Sequence, residues 1–231
     1  MALRSLFRRQ ADTRVEAPAP TAYVAPLAVF SLFTALESAL PASIYPVLYL
    51  VKMCAVTAAL AFFRHTLRDI RPSWRLVAPS ILVGLAVCGA WVGIDRWVPY
   101  PHLGGRAAYD PFSSIESAEG AAGFLVIRFY GLVLLVPVME ELFWRSFLLR
   151  YLTESRFSSV PMGTFSPMAF CLVAAFTGLA HPEWLVAAIA SAIYTLLLRH
   201  TRSLFAVTVA HAVTNAALGV YILSSHNWQY W

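Results

Sequence analysis

The sequence predicts an all-α fold, a polytopic membrane bundle of about seven transmembrane helices, and three observations predict it. First, 59% of the 231 residues are hydrophobic and only 13% are charged, where a soluble domain carries about 25% charged residues. Second, apolar runs of membrane-crossing length recur along the chain, and the mean hydropathy is +0.66. Third, the basic residues gather in the connections between those runs. This leaves no room for a separate soluble domain. Residues 1–22 read as a cytoplasmic basic tail with an Ala/Pro linker, and residues 23–231 as a single transmembrane domain.

The tail, "MALRSLFRRQADTRVEAPAPTA", has arginines but no following apolar run of signal-peptide length. It reads as a topology anchor. Spans follow at 23–40, 45–63, 76–94, 121–152, 165–181, 183–199 and 203–223, on the rule that a helix needs about 20 apolar residues to cross. Pro41, Pro46, Pro161, Pro167 and Pro182 punctuate their boundaries. Between the third and fourth spans, "DRWVPYPHLGGRAAYDPFSSIESAEG" is the one sizeable extramembrane piece, with room for an interfacial helix.

Charge sets the orientation. With the N-terminus inside, the cytoplasmic segments hold Arg4, Arg8, Arg9, Arg14, Arg64, Arg68, Arg71, Arg75, Arg150, Arg156, Arg199 and Arg202, and the outer ones Arg96 and Arg106. By the positive-inside rule the topology is N-in and C-out. The same placement explains a pI of 9.3 without nucleic-acid binding. Cys54, Cys88 and Cys171 lie in apolar stretches without disulfide or zinc spacing, and read as small core residues.

Within the spans, "VPVMEELFWRSFLLRYL" (136–152) stands out, because charges in a membrane are costly unless paired or functional. Glu141 and Arg145, at i and i+4, share a helical face and can pair. Glu140 points elsewhere, so one acid is neutralised and the other left free. His181 ends the fifth span, and His211 and Asn215 share a face of the last. Counting about 1.5 Å per residue from the cytoplasmic ends puts these groups in one band at roughly 13–25 Å depth. Singly, each has an ordinary reading: an ion pair, a capping histidine, interhelical glue. Together, an acid, two histidines and an amide can activate water and stabilise an oxyanion. Glu37 and Lys52 are expected to pair near the outer turn, Arg128 to snorkel to the interface, and Trp144 to share the face of Glu140.

"EELFWR" matches the EExxxR motif of the CPBP superfamily of intramembrane proteases, which includes type II CAAX prenyl endopeptidases and bacteriocin-immunity proteins. "HAVTN" supplies its HxxxN motif. The middle motif, FxxxH, departs: Thr177 stands four before His181, and Phe176 five before. The resemblance covers roughly residues 120–223, and "AHPEW" with the Trp-rich end is similar to a bacterial branch that accompanies exosortase systems.

The resemblance implies an intramembrane endopeptidase in which Glu140 and His181 activate water, Glu141 and Arg145 support them, and His211 and Asn215 stabilise the oxyanion. Its substrate would be a membrane-associated protein or peptide, and its place a bacterial inner membrane. The ligand chemistry favours a metal-free site, with no HExxH pair, and zinc as the alternative. A non-proteolytic scaffold or immunity protein, and a small-solute or proton transporter, draw on the same buried groups.

Overall fold

The computed structural model describes residues 19–105 and 108–231. Most of the N-terminal tail, and Arg106 of the outer loop, lie outside the described residues. The described residues form helices and no strands. We number the main helices α1 (Thr21–Ala39), α2 (Tyr45–Phe62), α3 (Val77–Trp97), α4 (Ala118–Tyr151), α5 (Pro167–Leu179), α6 (Trp184–Thr201) and α7 (Leu204–Ser225).

Six of these are long and apolar enough to cross a membrane; α5, with 13 residues, is shorter. At 1.5 Å per residue it reaches about 20 Å, against a hydrocarbon core of about 30 Å. The apolar run at 165–181 therefore overstates its helix. Ser166 caps the start by accepting from the Ala169 amide, and the chain leaves the helix at Ala180 ahead of Pro182. The outer loop contributes a single helical turn, Pro111–Ser114, capped by Asp110.

Large apolar side chains face outward: Leu82, Val126 and Val220 are 69%, 70% and 60% exposed. Outward apolar surface on six span-length helices is a surface for lipid, and the protein is an integral membrane protein. Cys54 and Cys171 are exposed on it and only Cys88 is buried, so two of the three cysteines are not core residues.

Helix α7 is the most enclosed span, with 44% of its central window buried against 17% for α1. It packs on α3, α4 and α6, while α5 and α6 form a hairpin and α1 lies on α2. The approach of α3 to α7 depends on Gly84, where a Cβ would fall on the Ala210 carbonyl oxygen and the Val213 side chain. Small residues at helix crossings drive packing where lipid cannot.

Helix α4 is continuous but not uniformly α-helical. Tyr130–Leu135 and Leu142–Leu148 wind in the wider π register, and Pro137 lies between them. Near one end of the bundle, Lys52 pairs with Glu37 at 2.5 Å, as the sequence predicts. Arg128 donates to Tyr45 Oη at 3.1 Å and lies over the rings of Tyr49 and Trp231, an aromatic enclosure for its charge.

Candidate active site

Helix α4 brings the two adjacent acids into different surroundings. Glu141 is fully buried, and its Oε1 accepts from Arg145 Nη1 at 3.2 Å and from His211 Nδ1 at 2.9 Å. Glu140 is partly exposed and carries no hydrogen bond or ion pair to another described residue. The i, i+4 pairing read from the sequence is present, and the other acid is the unpaired one. Two cationic or N–H partners compensate one oxygen of the buried carboxylate, while Glu141 Oε2 has no partner among the described residues.

Arg145, 1% exposed, turns its Nη2 to α6, while its Nε–H finds no partner among the described residues. Its Nη2 donates to Ser191 Oγ at 2.9 Å and to the Ser191 carbonyl at 3.2 Å, and the guanidinium lies 5.5 Å from the Tyr194 ring centre. Ser191 Oγ in turn donates to Thr177 Oγ1 at 3.0 Å, and Thr177 Oγ1 donates to the Val173 carbonyl at 2.8 Å. The directions are forced. A guanidinium has no acceptor, so the Ser191 oxygen accepts from Arg145 and its own proton must go elsewhere. Thr177 takes it.

That threonine occupies the position where the middle motif carries phenylalanine. Its departure from the motif thus has a structural reason: a buried hydroxyl closes the network between α5 and α6. Thr177 acts a second time through its backbone, for its carbonyl lies 2.8 Å from His181 Nδ1. A carbonyl can only accept, so Nδ1 carries the proton and Nε2 of neutral His181 keeps its lone pair. The ring of Trp91 stands edge-on to His181 at 6.0 Å.

His211 is fixed by the same logic. Its Nδ1 faces the Glu141 carboxylate, and its ring stacks on Tyr194 at 5.3 Å. Tyr194 is held by its hydroxyl, which donates to Thr214 Oγ1 at 2.7 Å. One turn beyond His211, Asn215 Nδ2 donates to the Leu132 carbonyl at 2.9 Å. That carbonyl is open for a covalent reason: in the i→i+5 register of this stretch its partner is residue 137, a proline without an N–H.

Of the sequence-predicted residues, Glu141, Arg145 and His211 are thus in direct contact. His181 joins them through Thr177 and Ser191, and Asn215 is tied to the same helix as the acids. Glu140 has no bonded link to His181, His211 or Asn215 in the described residues. The sequence marks Thr177 only as a departure from the middle motif and does not reveal its role or those of Ser191, Tyr194 and Thr214; hydroxyls in apolar helices usually bond their own backbone, so their spacing carries no signal. Trp144 is buried, with an indole N–H that finds no partner among the described residues.

No group of three or more His, Cys, Asp or Glu side chains is placed to hold a metal ion among the described residues. The Oε1 of Glu141 is already taken by Arg145 and by His211 Nδ1.

Comparison with known families matches residues 122–217 to the type II CAAX prenyl endopeptidase Rce1-like family. The match runs from α4 to α7 and encloses all six site residues. No curated protein and no solved structure matches the chain.

Proposed function

We propose, from the premise that residues 122–217 carry the Rce1-like type II CAAX prenyl endopeptidase family match, that the protein is an intramembrane endopeptidase hydrolysing a membrane-associated protein or peptide. The family suggests the activity; the division of labour between the two acids supports the assignment of roles. Among the described residues Glu140 is the acid without a hydrogen-bond or ion-pair partner, while Glu141 is committed to Arg145 and His211.

In this reading, a water between the Glu140 carboxylate and the His181 Nε2 lone pair loses a proton as its oxygen attacks the scissile carbonyl carbon. The carbonyl oxygen becomes an oxyanion. Doubly protonated His211 gives Nδ1–H to Glu141 and Nε2–H to that oxyanion, and Asn215 offers the second N–H of its amide. Collapse breaks the C–N bond, and the proton taken from water passes to the leaving amine. Glu141, Arg145, Ser191 and Thr177 position both histidines and touch no reacting atom. No step requires a metal, and the enclosing membrane is that of a bacterium, by the branch resemblance.

The test compares wild type with Glu140→Gln in detergent against a library of lipidated and transmembrane peptides, with and without chelator, products being read by mass spectrometry. Wild type cleaves in both conditions and the variant does not. Cleavage retained by Glu140→Gln overturns the role of Glu140. A wild type that cleaves nothing, with a phenotype tracking abundance alone, replaces the enzyme with a scaffold.

A further inference from the structure

Away from the acids, the α2–α3, α4–α5 and α6–α7 connections enclose an open cleft of about 600 Å³. These connections hold Arg64, Arg68, Arg71, Arg75, Arg156 and Arg202, so in the expected N-in topology the cleft faces the cytoplasm. Its walls include Arg71, Arg150 and Arg202, and a single carboxylate, Asp69. That carboxylate is already engaged. Asp69 Oδ2 accepts from Tyr23 Oη at 2.9 Å, from Arg150 Nη2 at 3.2 Å and from the Ser146 hydroxyl. Asp69 and Arg150 therefore cancel, and among the described residues no carboxylate pairs with Arg71 or Arg202, which leave the cleft with two positive charges.

The chain is shaped to hold one of them there. Arg202 ends α6 in the left-handed region, at φ 51°, a conformation that costs an ordinary residue about 1 kcal/mol or more. Facing it, Gly163 has φ 84°, and a Cβ on it would crowd the Leu198 carbonyl and the Arg202 side chain. Ser73 and Ser158 add hydroxyls with no side-chain hydrogen bond to another described residue, and Met162 and Leu204 add apolar wall. Two guanidiniums, free hydroxyls and an apolar flank at headgroup height match a phosphate ester better than a carboxylate, because a phosphate has acceptors for both forks and for the hydroxyls.

We propose that this cleft binds a phosphate group, presented by an anionic phospholipid headgroup or by a soluble phosphate. Its position at the membrane face favours the lipid. Neither Arg71 nor Arg202 belongs to the catalytic constellation, so the site stands or falls independently of the protease reading.

The experiment compares three full-length proteins: wild type, Arg71→Gln/Arg202→Asn, and Arg64→Gln/Arg156→Gln. Asparagine tolerates the left-handed conformation, and the second pair removes the same charge from exposed sites on the same face that do not line the cleft. Each is reconstituted in phosphatidylcholine vesicles with or without phosphatidylglycerol, extracted, and examined by native mass spectrometry for retained lipid, with inorganic phosphate as competitor. Wild type and Arg64→Gln/Arg156→Gln retain phosphatidylglycerol, and the cleft variant loses it by roughly tenfold or more. Displacement by millimolar phosphate assigns the site to the soluble anion as well; no displacement assigns it to the lipid. Equal retention by both double variants, whether high or low, overturns the site in favour of general surface charge.

Discussion

Arg145→Leu opens the buried network at its centre, and its cost can be worked from the contacts. The guanidinium makes three hydrogen bonds, one to Glu141 and two to Ser191, with 1% of the side chain exposed. Removing one member of a buried ion pair costs about 3–5 kcal/mol, because the other charge stays behind without compensation. A lower bound comes from membrane proteins, where interhelical hydrogen bonds average about 0.6 kcal/mol; the two bonds to α6 then give about 1 kcal/mol. Glu141 retains only His211 and has a second oxygen already without a partner, which places the expectation toward the upper figure. Replacing both charges, in Glu141→Gln/Arg145→Leu, removes the stranded carboxylate and should recover at least about 1 kcal/mol of the sum of the single losses. Unfolding of the four proteins of this cycle in mixed micelles measures the coupling. A single substitution that costs under about 1 kcal/mol, or strictly additive losses, would refute the buried pair as the organiser of α4 and α6.

Three further outcomes follow from named contacts. Thr177→Val deletes the acceptor for Ser191 and should lower stability by about 1–3 kcal/mol, whereas Thr177→Ser keeps the hydroxyl and most of the stability; micelle unfolding separates them. Gly84→Ala drives a methyl into the Ala210 carbonyl oxygen and should cost about 1–3 kcal/mol by overpacking, seen as a lower thermal midpoint; no change would show that α3 and α7 can part there. Pro137→Ala restores a backbone N–H that can compete with Asn215 for the Leu132 carbonyl, and is expected to slow cleavage with little loss of folded protein, read as a reduced rate at an unchanged midpoint.

The charged pattern of the bundle was legible because charge in a membrane has few inexpensive places. Glu141 with Arg145 and Glu37 with Lys52 follow from spacing and adjacency alone, and both pairs are present. Hydropathy located the helices to within a few residues, α5 included, whose ends at Pro167 and Leu179 fall just inside the apolar run at 165–181. The partner of His211 was not readable: periodicity puts His211 and Asn215 on one face, but not which acid of α4 that face meets. The π-register stretches were equally hidden. They reset the facing of side chains along α4, and nothing in the composition of "YGLVLL" or "LFWRSFL" distinguishes them from α-helix. The aromatic enclosure of Arg128 depends on Tyr45, Tyr49 and Trp231, residues from both ends of the chain that only the folded bundle brings together.

The most direct test of the central claim measures specific cleavage rate and thermal midpoint together for Glu140→Gln and Glu141→Gln. If Glu140 works on water and Glu141 holds the scaffold, Glu140→Gln loses about 10²–10⁴-fold in rate at an unchanged midpoint, while Glu141→Gln lowers the midpoint as well. A Glu140→Gln protein that unfolds early, or one that still cleaves at the wild-type rate, would contradict that division.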